Sequence, residues 1–222
     1  MRYFFSTENL SLLAADGEVN RKRIAEREGF EIGRLTCAEQ VHGNGVFVVK
    51  EEHIGRGALD IESRIPQCDA LVTDIKGVCL MILTADCVPV LLFDPKRVVV
   101  AAIHAGWKGT AQKIAKKTIE TMRDTYGCEA KDMEAYIGPA ICGSCFEVGE
   151  EVVDAIGMRY VSGRSKIGKP LLDLKFANTM QLIDIGLELE KIKVSGECTY
   201  HDGLHSWRRE KSMNRIGSGI WL

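Results

Sequence analysis

One cysteine and one histidine stand at the ends of two consecutive apolar runs, where their side chains could carry out chemistry. Cys87 precedes the run VPVLLFD, His104 follows the run VVVAAI, and the turn residues 94–97 lie between the two runs. If the runs are antiparallel strands, the start of one lies beside the end of the other, and both side chains meet at one sheet edge. A thiolate beside an imidazole can act as a nucleophilic pair or as two ligands of a zinc ion.

His42 is a third candidate ligand, because it lies at the end of a predicted strand and directly before a glycine. Catalytic zinc sites use three protein ligands and leave the fourth position open. The spacing of His42, Cys87 and His104 leaves three interpretations open at this point. They form a Cys-His nucleophilic pair, a three-ligand metal site, or a set of unrelated buried and turn residues.

The composition of the chain argues against several classes of protein. The 222 residues carry a formal net charge of −2, which provides no basic field for nucleic acid. No run of about 18 apolar residues occurs, so no segment is predicted to span a membrane. The start, MRYFFSTENL, lacks the apolar stretch of a secretory signal, and eight cysteines without an export signal indicate reduced thiols. We therefore expect a cytoplasmic protein that folds as a single domain over residues 1–222.

Hydrophobic spacing and capping residues predict strands mixed with helices. Strands are predicted at 34–41, 46–50, 70–75, 78–84, 88–94, 98–103, 134–138 and 191–199. Several of them are near-continuous apolar runs, which are typical of strands buried on both faces. Helices are predicted at 20–29 with Asn20 as N-cap, at 110–126, at 147–156, and at 173–186 with Asp173 as N-cap. The Asn-Gly pair within HGNG at 42–45 predicts a hairpin. The expected fold class is α/β (mixed α+β), a layered domain with buried mixed sheets flanked by helices.

Six segments resemble, in order, the successive motifs of one known family. They are EQVHGNGV, DALVT, TADCVPVLLFDP, HAGWKGT, IGPAICGSCFEVGEEV, and CTYHDGLHSWRRE followed by IGSGIWL, and they run from about residue 34 to 222. The sequence is thereby similar to the laccase-domain family, also called the polyphenol oxidoreductase or purine nucleoside phosphorylase family. The resemblance implies an α/β-type domain with one zinc ion, whose ligands fall on His42, Cys87 and His104.

The same resemblance implies an activity and its partners. The family's activity is phosphorolysis of adenosine, inosine, guanosine and methylthioadenosine to the base and ribose 1-phosphate, with adenosine deaminase activity beside it. The implied partners are purine nucleosides and inorganic phosphate. The name laccase suggests copper, but two histidines and one cysteine, in a chain with five histidines, do not resemble a multicopper site. The segment STENLSLL departs from the family, because it lacks the arginine and the glycines of the usual Thr-Arg-x-Gly-Gly motif.

Residues near the three candidate ligands are candidates for catalysis and substrate contacts. Asp86 could accept a proton if the strand ends there, or cap a turn. Trp107 could stack on a purine or pack in the core, and Lys108 could supply charge or be solvated. Arg208 suits phosphate through its two-pronged guanidinium, or belongs to an exposed arginine pair. The predicted helix start at 106–110 offers free N–H groups to the same anion.

The Cys-x-x-Cys segment at 142–145 has two further interpretations that we disfavour. Zinc nucleoside deaminases use His-x-Glu and Pro-Cys-x-x-Cys, but Gly106 stands here in place of the glutamate. A redox pair is disfavoured because a Gly-Pro turn precedes the cysteines. We interpret Cys142 and Cys145 as two thiols packed in a tight turn, and we assign no role to His201 and His205.

Three functional hypotheses follow, the first from the family resemblance and the other two from these residues. The first is a zinc-dependent purine nucleoside phosphorylase with adenosine deaminase activity, in which an open zinc lowers the pKa of bound water towards ~7. The second is a metal-free cysteine hydrolase that uses Cys87 and His104. The third is a non-catalytic binding module stabilised by zinc.

Overall fold

Strands form three sheets in the computed structural model of the chain, which describes residues 1–6, 12–13 and 16–222. The strands are β1 (Arg2–Phe5), β2 (Leu35–Cys37), β3 (Val46–Val48), β4 (Ala70–Thr73), β5 (Cys79–Thr84), β6 (Val88–Asp94), β7 (Val99–Ala105), β8 (Glu134–Ile137), β9 (Val161–Arg164), β10 (Pro170–Leu172), β11 (Ile192–Val194) and β12 (Ile216–Trp221). One sheet has the order β11-β8-β6-β7-β4-β3, a second has the order β1-β12-β5-β2, and β10 pairs with β9. Both large sheets mix parallel and antiparallel pairs, which confirms the predicted mixed α/β class.

The helices are α1 (Gly17–Glu28), α2 (Trp107–Ala111), α3 (Ile114–Tyr126), α4 (Glu150–Ile156), α5 (Leu174–Asp184) and α6 (Trp207–Glu210). Helix α1 packs on the four-stranded sheet through Ile24, and α3, α4 and α5 pack on the six-stranded sheet. Helix α5 begins after its predicted N-cap, because the Asp173 carboxylate accepts the backbone amide of Phe176 at 2.9 Å. Among the described residues, no helix has both the length and the apolar character needed to cross a membrane.

The central strands are buried on both faces. In β7, Val100 and Ala102 pack with Leu80 and Ile82 of β5 in the layer between the two large sheets. The alternate residue Ile103 faces the other way and packs in the layer formed with α3, α4 and α5. This double burial is the reason why the apolar runs are nearly continuous.

The predicted hairpin formed by β6 and β7 is present, and its register places the candidate residues. Pro89 pairs with His104 in an antiparallel ladder, so Cys87 lies just before β6 at the same end where β7 finishes. At the opposite end, the Asp94 carboxylate accepts two backbone amides of the turn at 2.8 and 2.9 Å. The turn therefore fixes the register that brings Cys87 to His104.

The hairpin predicted at 42–45 is wrong. Strand β2 pairs in parallel with β5 in the four-stranded sheet, whereas β3 pairs in parallel with β4 in the six-stranded sheet. The HGNG segment therefore crosses from one sheet to the other. The backbone amides of residues 41–43 donate to the carboxylate of Asp69, so they are not available for a hairpin ladder.

Several predicted element boundaries are also corrected, and the strand predicted at 34–41 is limited to β2. Helix α1 starts at Gly17, and Asn20 lies inside it because its amide donates to the carbonyl of Asp16. The helix predicted at 110–126 is divided, since Lys113 adopts a left-handed backbone with φ 57° between α2 and α3. The helix predicted at 147–156 starts at Glu150, because Glu147 and Val148 pair with β10 instead.

The strand predicted at 191–199 is limited to β11. Beyond it, the ammonium of Lys175 donates to the carbonyls of Ser195 and Glu197 at 2.8 and 2.9 Å. These carbonyls are therefore satisfied by a side chain rather than by a neighbouring strand. The departure from the family motif in STENLSLL falls mainly on residues 7–11, which lie outside the described residues.

Candidate functional site

The side chains of His42, Cys87 and His104 lie together at one end of the β6–β7 hairpin. Their possible ligand atoms all lie within 4.8 Å of one another. The two imidazole rings are nearly perpendicular, with an interplanar angle of 85° and 4.8 Å between ring centroids. His104 is buried, Cys87 is partly buried and His42 is exposed, so the group is open on one side.

Asp69, which lies directly before β4, orients two of the three side chains. Its Oδ1 lies 2.8 Å from Nδ1 of His104 and accepts the backbone amide of His42 at 2.9 Å. Its Oδ2 accepts the amide of Gly43 at 2.7 Å. Burial disfavours the charged carboxylate, but these hydrogen bonds outweigh burial and lower the pKa of Asp69. Because Nδ1 of His104 faces Asp69, its Nε2 is the nitrogen left to face Cys87.

The thiol and the imidazole shift each other's ionisation. Burial opposes ionisation of Cys87, yet attraction to His104 and hydrogen bonds from both imidazoles lower the pKa of the thiol. Burial also favours neutral His104, but the negative sulfur of Cys87 and the Asp69 carboxylate raise the pKa of this imidazole. A thiolate is the form of cysteine that attacks electrophiles and binds metals.

Gly106 lies directly beside these three side chains. A Cβ atom added to Gly106 would lie 3.1 Å from the sulfur of Cys87, 3.2 Å from Cδ2 of His42 and 3.7 Å from Cε1 of His104. A side chain at this position would therefore crowd Cys87 and His42, and it would be in ordinary contact with His104. The same loop is tightly packed at Gly109, where a Cβ would lie 2.8 Å from the carbonyl oxygen of Gly43.

The three side chains line a cavity of about 800 Å³. Ligand pockets for small molecules fall in the range of roughly 300–1,000 Å³. The cavity contains aromatic, cationic and acidic side chains: Trp107, Phe146 and Trp207; Arg64, Lys169, Arg208 and Arg215; and Asp86, Glu147 and Glu151. This combination of apolar walls and charged groups fits a ligand that has both a flat apolar part and an anionic part.

Asp86 lies in the connection between β5 and β6, and both of its carboxylate oxygens are engaged. Oδ1 accepts the hydroxyl of Thr199 and Oδ2 accepts the backbone amide of Arg208, each at 2.6 Å. Its backbone is left-handed, with φ 85°, which is uncommon for a residue with a side chain. The contacts of Asp86 are those of a positioning residue that fixes the chain around Arg208.

The predicted substrate contacts differ in where they lie. Trp107 and Arg208 line the cavity, and the guanidinium of Arg208 lies 5.5 Å from the ring of Phe146. Lys108 is exposed outside the cavity lining, with its ammonium 5.7 Å from the ring of Trp107. Helix α2, predicted to offer N–H groups to phosphate, has only five residues. The guanidinium of Arg209 is bound by backbone carbonyls, those of Thr199, Tyr200 and Leu204.

A second group of possible metal ligands consists of Cys142, Cys145, Cys198 and His201, whose ligand atoms also lie within 4.8 Å of one another. The tight turn expected at 142–145 is present, since the amide of Cys145 donates to the carbonyl of Cys142 at 3.0 Å. Cys198 and His201, the partners of these thiols, were not predicted from the sequence. The available signal was spacing, because Cys198-x-x-His201 repeats the two-residue gap of Cys142-x-x-Cys145.

Comparisons with known proteins identify relatives along nearly the whole chain. Residues 5–222 match the family described as multi-copper polyphenol oxidoreductase laccase. The chain is 34% identical over 204 residues to purine nucleoside phosphorylase YlmD of Bacillus subtilis (strain 168), covering 89% of this chain and 73% of that protein. It is 36% identical over 200 residues to adenosine deaminase RL5 from an unknown prokaryotic organism, covering 85% and 75%. The crystal structure of YlmD from Geobacillus stearothermophilus has a TM-score of 0.89 and 32% identity, covering 99% of this chain and 90% of that one.

Proposed function

The chain belongs to the multi-copper polyphenol oxidoreductase laccase family, and from this membership we propose that it is a zinc-dependent purine nucleoside phosphorylase with adenosine deaminase activity. Adenosine, inosine, guanosine and methylthioadenosine would be converted with inorganic phosphate to the base and ribose 1-phosphate. The observation that carries the proposal is the group of His42, Cys87 and His104 in the wall of a nucleoside-sized cavity. The relatives named purine nucleoside phosphorylase and adenosine deaminase support this substrate class.

The chemistry of the donor set fits zinc. Two imidazoles and one thiolate are ligands that zinc accepts, and three protein ligands leave a position for reactants. The space that Gly106 keeps open beside Cys87 and His42 supports this assignment. A multicopper centre would need more imidazoles than the five histidines of the chain provide. When bound to His42, Cys87 and His104, zinc would supply Lewis-acid activation at neutral pH.

The aromatic side chains of the cavity would hold the base. Trp107, Phe146 and Trp207 present flat apolar surfaces to the cavity, and aromatic rings stack favourably on a purine. Trp207 is 43% exposed, so part of its ring area is available to a ligand. We assign the purine base to this part of the cavity, with the ribose directed towards Cys87.

The cationic side chains would hold phosphate. The guanidinium of Arg208 gives one N–H to the carbonyl of Glu147 at 2.9 Å, which leaves further donors for an anion. Arg215 and Lys169 line the same cavity and add positive charge. Asp86, by holding the amide of Arg208, would position this guanidinium rather than transfer a proton itself.

The two reactions would differ in what attacks the nucleoside. Deamination requires water at C6 of adenosine, so it needs no phosphate. Phosphorolysis requires phosphate at C1′ of the ribose, so it depends on the cations just described. One site with two attacking groups thus explains why relatives carry both names.

A metal-free cysteine hydrolase is a second candidate, favoured by the paired Cys87 and His104 and by the lowered pKa of the thiol. This enzyme would keep its activity after treatment with a chelator, whereas the zinc enzyme would lose it. A non-catalytic zinc-stabilised module would bind zinc and convert no nucleoside.

The test compares His104→Gln with His53→Gln as a control. His53 lies outside the cavity and accepts the amide of Lys50. Adenosine turnover with phosphate and without phosphate is measured for both variants and for the wild type. Loss of a ligand should reduce both reactions by more than the roughly 10–100-fold that outer contacts cost, and His53→Gln should retain them. Near wild-type rates for either reaction in His104→Gln would contradict a shared centre.

A further inference from the structure

Cys142, Cys145, Cys198 and His201 form a compact group separate from the candidate catalytic residues. Their four possible ligand atoms lie within 4.8 Å of one another. Nδ1 of His201 lies 3.4 Å from the sulfur of Cys145, and the sulfur of Cys198 accepts the backbone amide of Cys142 at 3.3 Å. All eight cysteines of the chain are free, so none of these thiols is held in a disulfide.

The backbone holds both ligand pairs in place. Around Cys142, the amides of Cys145 and Phe146 both donate to its carbonyl at 3.0 Å, which closes a turn with both thiols on it. Around Cys198, its amide donates to the carboxylate of Asp202 at 2.7 Å, and the amide of Asp202 returns to the carbonyl of Cys198 at 3.0 Å. The four ligands are therefore placed by two ordered turns.

The imidazole of His201 is also oriented for a ligand role. Its Nδ1 faces the thiols, while its Nε2 lies 3.5 Å from Oδ1 of Asp202. Histidines that bind metals commonly direct their other ring nitrogen to a carboxylate, which fixes the ring. Asp202 provides this carboxylate and simultaneously anchors Cys198.

We propose that these four side chains bind a second zinc ion in a closed structural site. Three thiolates and one imidazole form a common structural zinc set, with pairs spaced as Cys-x₂-Cys and Cys-x₂-His. Tetrahedral zinc with bonds of about 2.3 Å to sulfur requires sulfurs about 3.8 Å apart, and the observed limit of 4.8 Å requires only small side-chain shifts. Four protein ligands leave no open position, so this zinc would stabilise the fold rather than react.

The second site lies where it would brace the wall of the cavity. The amide of Ile141, beside Cys142, donates to the carbonyl of Asp86 at 3.0 Å. The hydroxyl of Thr199, beside Cys198, donates to the Asp86 carboxylate at 2.6 Å. A zinc ion would join the two chain segments that bind Asp86, the residue directly before Cys87. The site itself does not depend on the proposed catalytic function.

The test counts metal in protein purified with zinc and then freed of loosely bound metal. The variants are Cys142→Ser/Cys145→Ser for the second site, His42→Gln for the first, and Ser144→Ala as the matched control. Ser144 lies between the two thiols, and its hydroxyl contacts Cys142 at 3.1 Å without completing the ligand set. We expect two zinc ions per chain in the wild type and in Ser144→Ala, and one in each of the other variants. Cobalt substituted into His42→Gln should give the strong sulfur-to-cobalt absorption of a thiolate-rich tetrahedral site.

The results separate the two sites. Suppose that the wild type holds one zinc ion, that His42→Gln keeps it and that the double variant loses it. This result would support the second site and contradict the first. Equal zinc in the wild type and the double variant would overturn the proposal, as would a disulfide linking Cys142 to Cys145 in the purified protein. If the double variant fails to fold, alkylation of the wild type decides: zinc should protect Cys142 and Cys145 until a chelator is added. Equal labelling before and after chelation would also overturn the proposal.

Discussion

Asp69→Asn should weaken zinc binding at the candidate catalytic centre while the chain remains folded. The carboxylate of Asp69 is fully buried and lies 2.8 Å from Nδ1 of His104. It also accepts the amides of His42 and Gly43 at 2.9 and 2.7 Å. An asparagine side chain has only one oxygen acceptor, so either the imidazole or the loop amides lose their partner. Loss of such a contact lowers metal affinity by about 10–100-fold, or roughly 1.4–2.7 kcal/mol.

The affinity is measured by competition with a zinc chelator near neutral pH, and folding is followed by urea unfolding in the presence of saturating zinc. Asp94→Asn is the matched control, because Asp94 is equally buried and accepts two amides at the opposite end of the β6–β7 hairpin. Asp69→Asn should lose about 1–3 kcal/mol of stability, because the partners of Asp69 are divided between its two oxygens. Asp94→Asn should lose less, because both amides donate to the single oxygen Oδ1, which asparagine keeps. Only Asp69→Asn should lose zinc affinity at the first centre.

Unchanged zinc affinity in Asp69→Asn would refute the role given to Asp69. An equal loss of affinity in Asp94→Asn would show that the effect comes from general destabilisation of the hairpin. Because the second site contributes its own zinc, the comparison is made in the Cys142→Ser/Cys145→Ser background.

Three further predictions follow from individual contacts. Gly106→Ala should lower zinc occupancy, because the new Cβ would lie 3.1 Å from the sulfur of Cys87. Gly196→Ala is the control and should not lower it, because no atom lies within 4 Å of a Cβ added there. Equal zinc occupancy in both variants would contradict the crowding at Gly106. Arg208→Lys should raise the phosphate KM of phosphorolysis by about 10–100-fold, the equivalent of a charged hydrogen bond, and should leave deamination unchanged; a wild-type phosphate KM would place the anion elsewhere. Burial raises the pKa of Cys37 to about 12 from 9.0, so the unfolded state loses this proton first and stability should fall by about 1.4 kcal/mol per pH unit above pH ~9. The free energy of unfolding, measured with urea between pH 8 and 11, should fall less steeply with pH in Cys37→Ala, by that amount. An unchanged dependence on pH would refute the assignment.

The part of the site that depends on local pairing was accessible from the sequence. The turn residues after Asp94 and the length of the two apolar runs define the β6–β7 register, and this register alone brings Cys87 beside His104. The buried strands were predictable for the same reason, since strands buried on both faces need apolar residues at every position.

The parts that depend on distant contacts were not accessible in the same way. The Asn-Gly signal at 42–45 is local and predicts a hairpin, but the amides around it bind Asp69 more than 25 residues away, which directs the chain into another sheet. No periodicity identifies a carboxylate as the partner of amides in a different segment. Asp69 was therefore missed although it begins the DALVT segment.

The second cysteine group was missed for a related reason. The Cys142-x-x-Cys145 turn was predicted, but Cys198 and His201 join it only because residues 140 and 198 form a parallel bridge. One bridge between single residues leaves no pattern in the sequence. The paired two-residue spacings were the only available clue.

The most direct test of the central claim is product analysis with the zinc-loaded protein and adenosine, with phosphate and without it. The account predicts inosine in both cases, and adenine, hypoxanthine and ribose 1-phosphate only when phosphate is present. Removal of zinc by a chelator should abolish all of these products, and added zinc should restore them. Products that persist after complete zinc removal, or adenine released without phosphate, would contradict the proposed mechanism. An absence of turnover with zinc bound would contradict the proposed function itself.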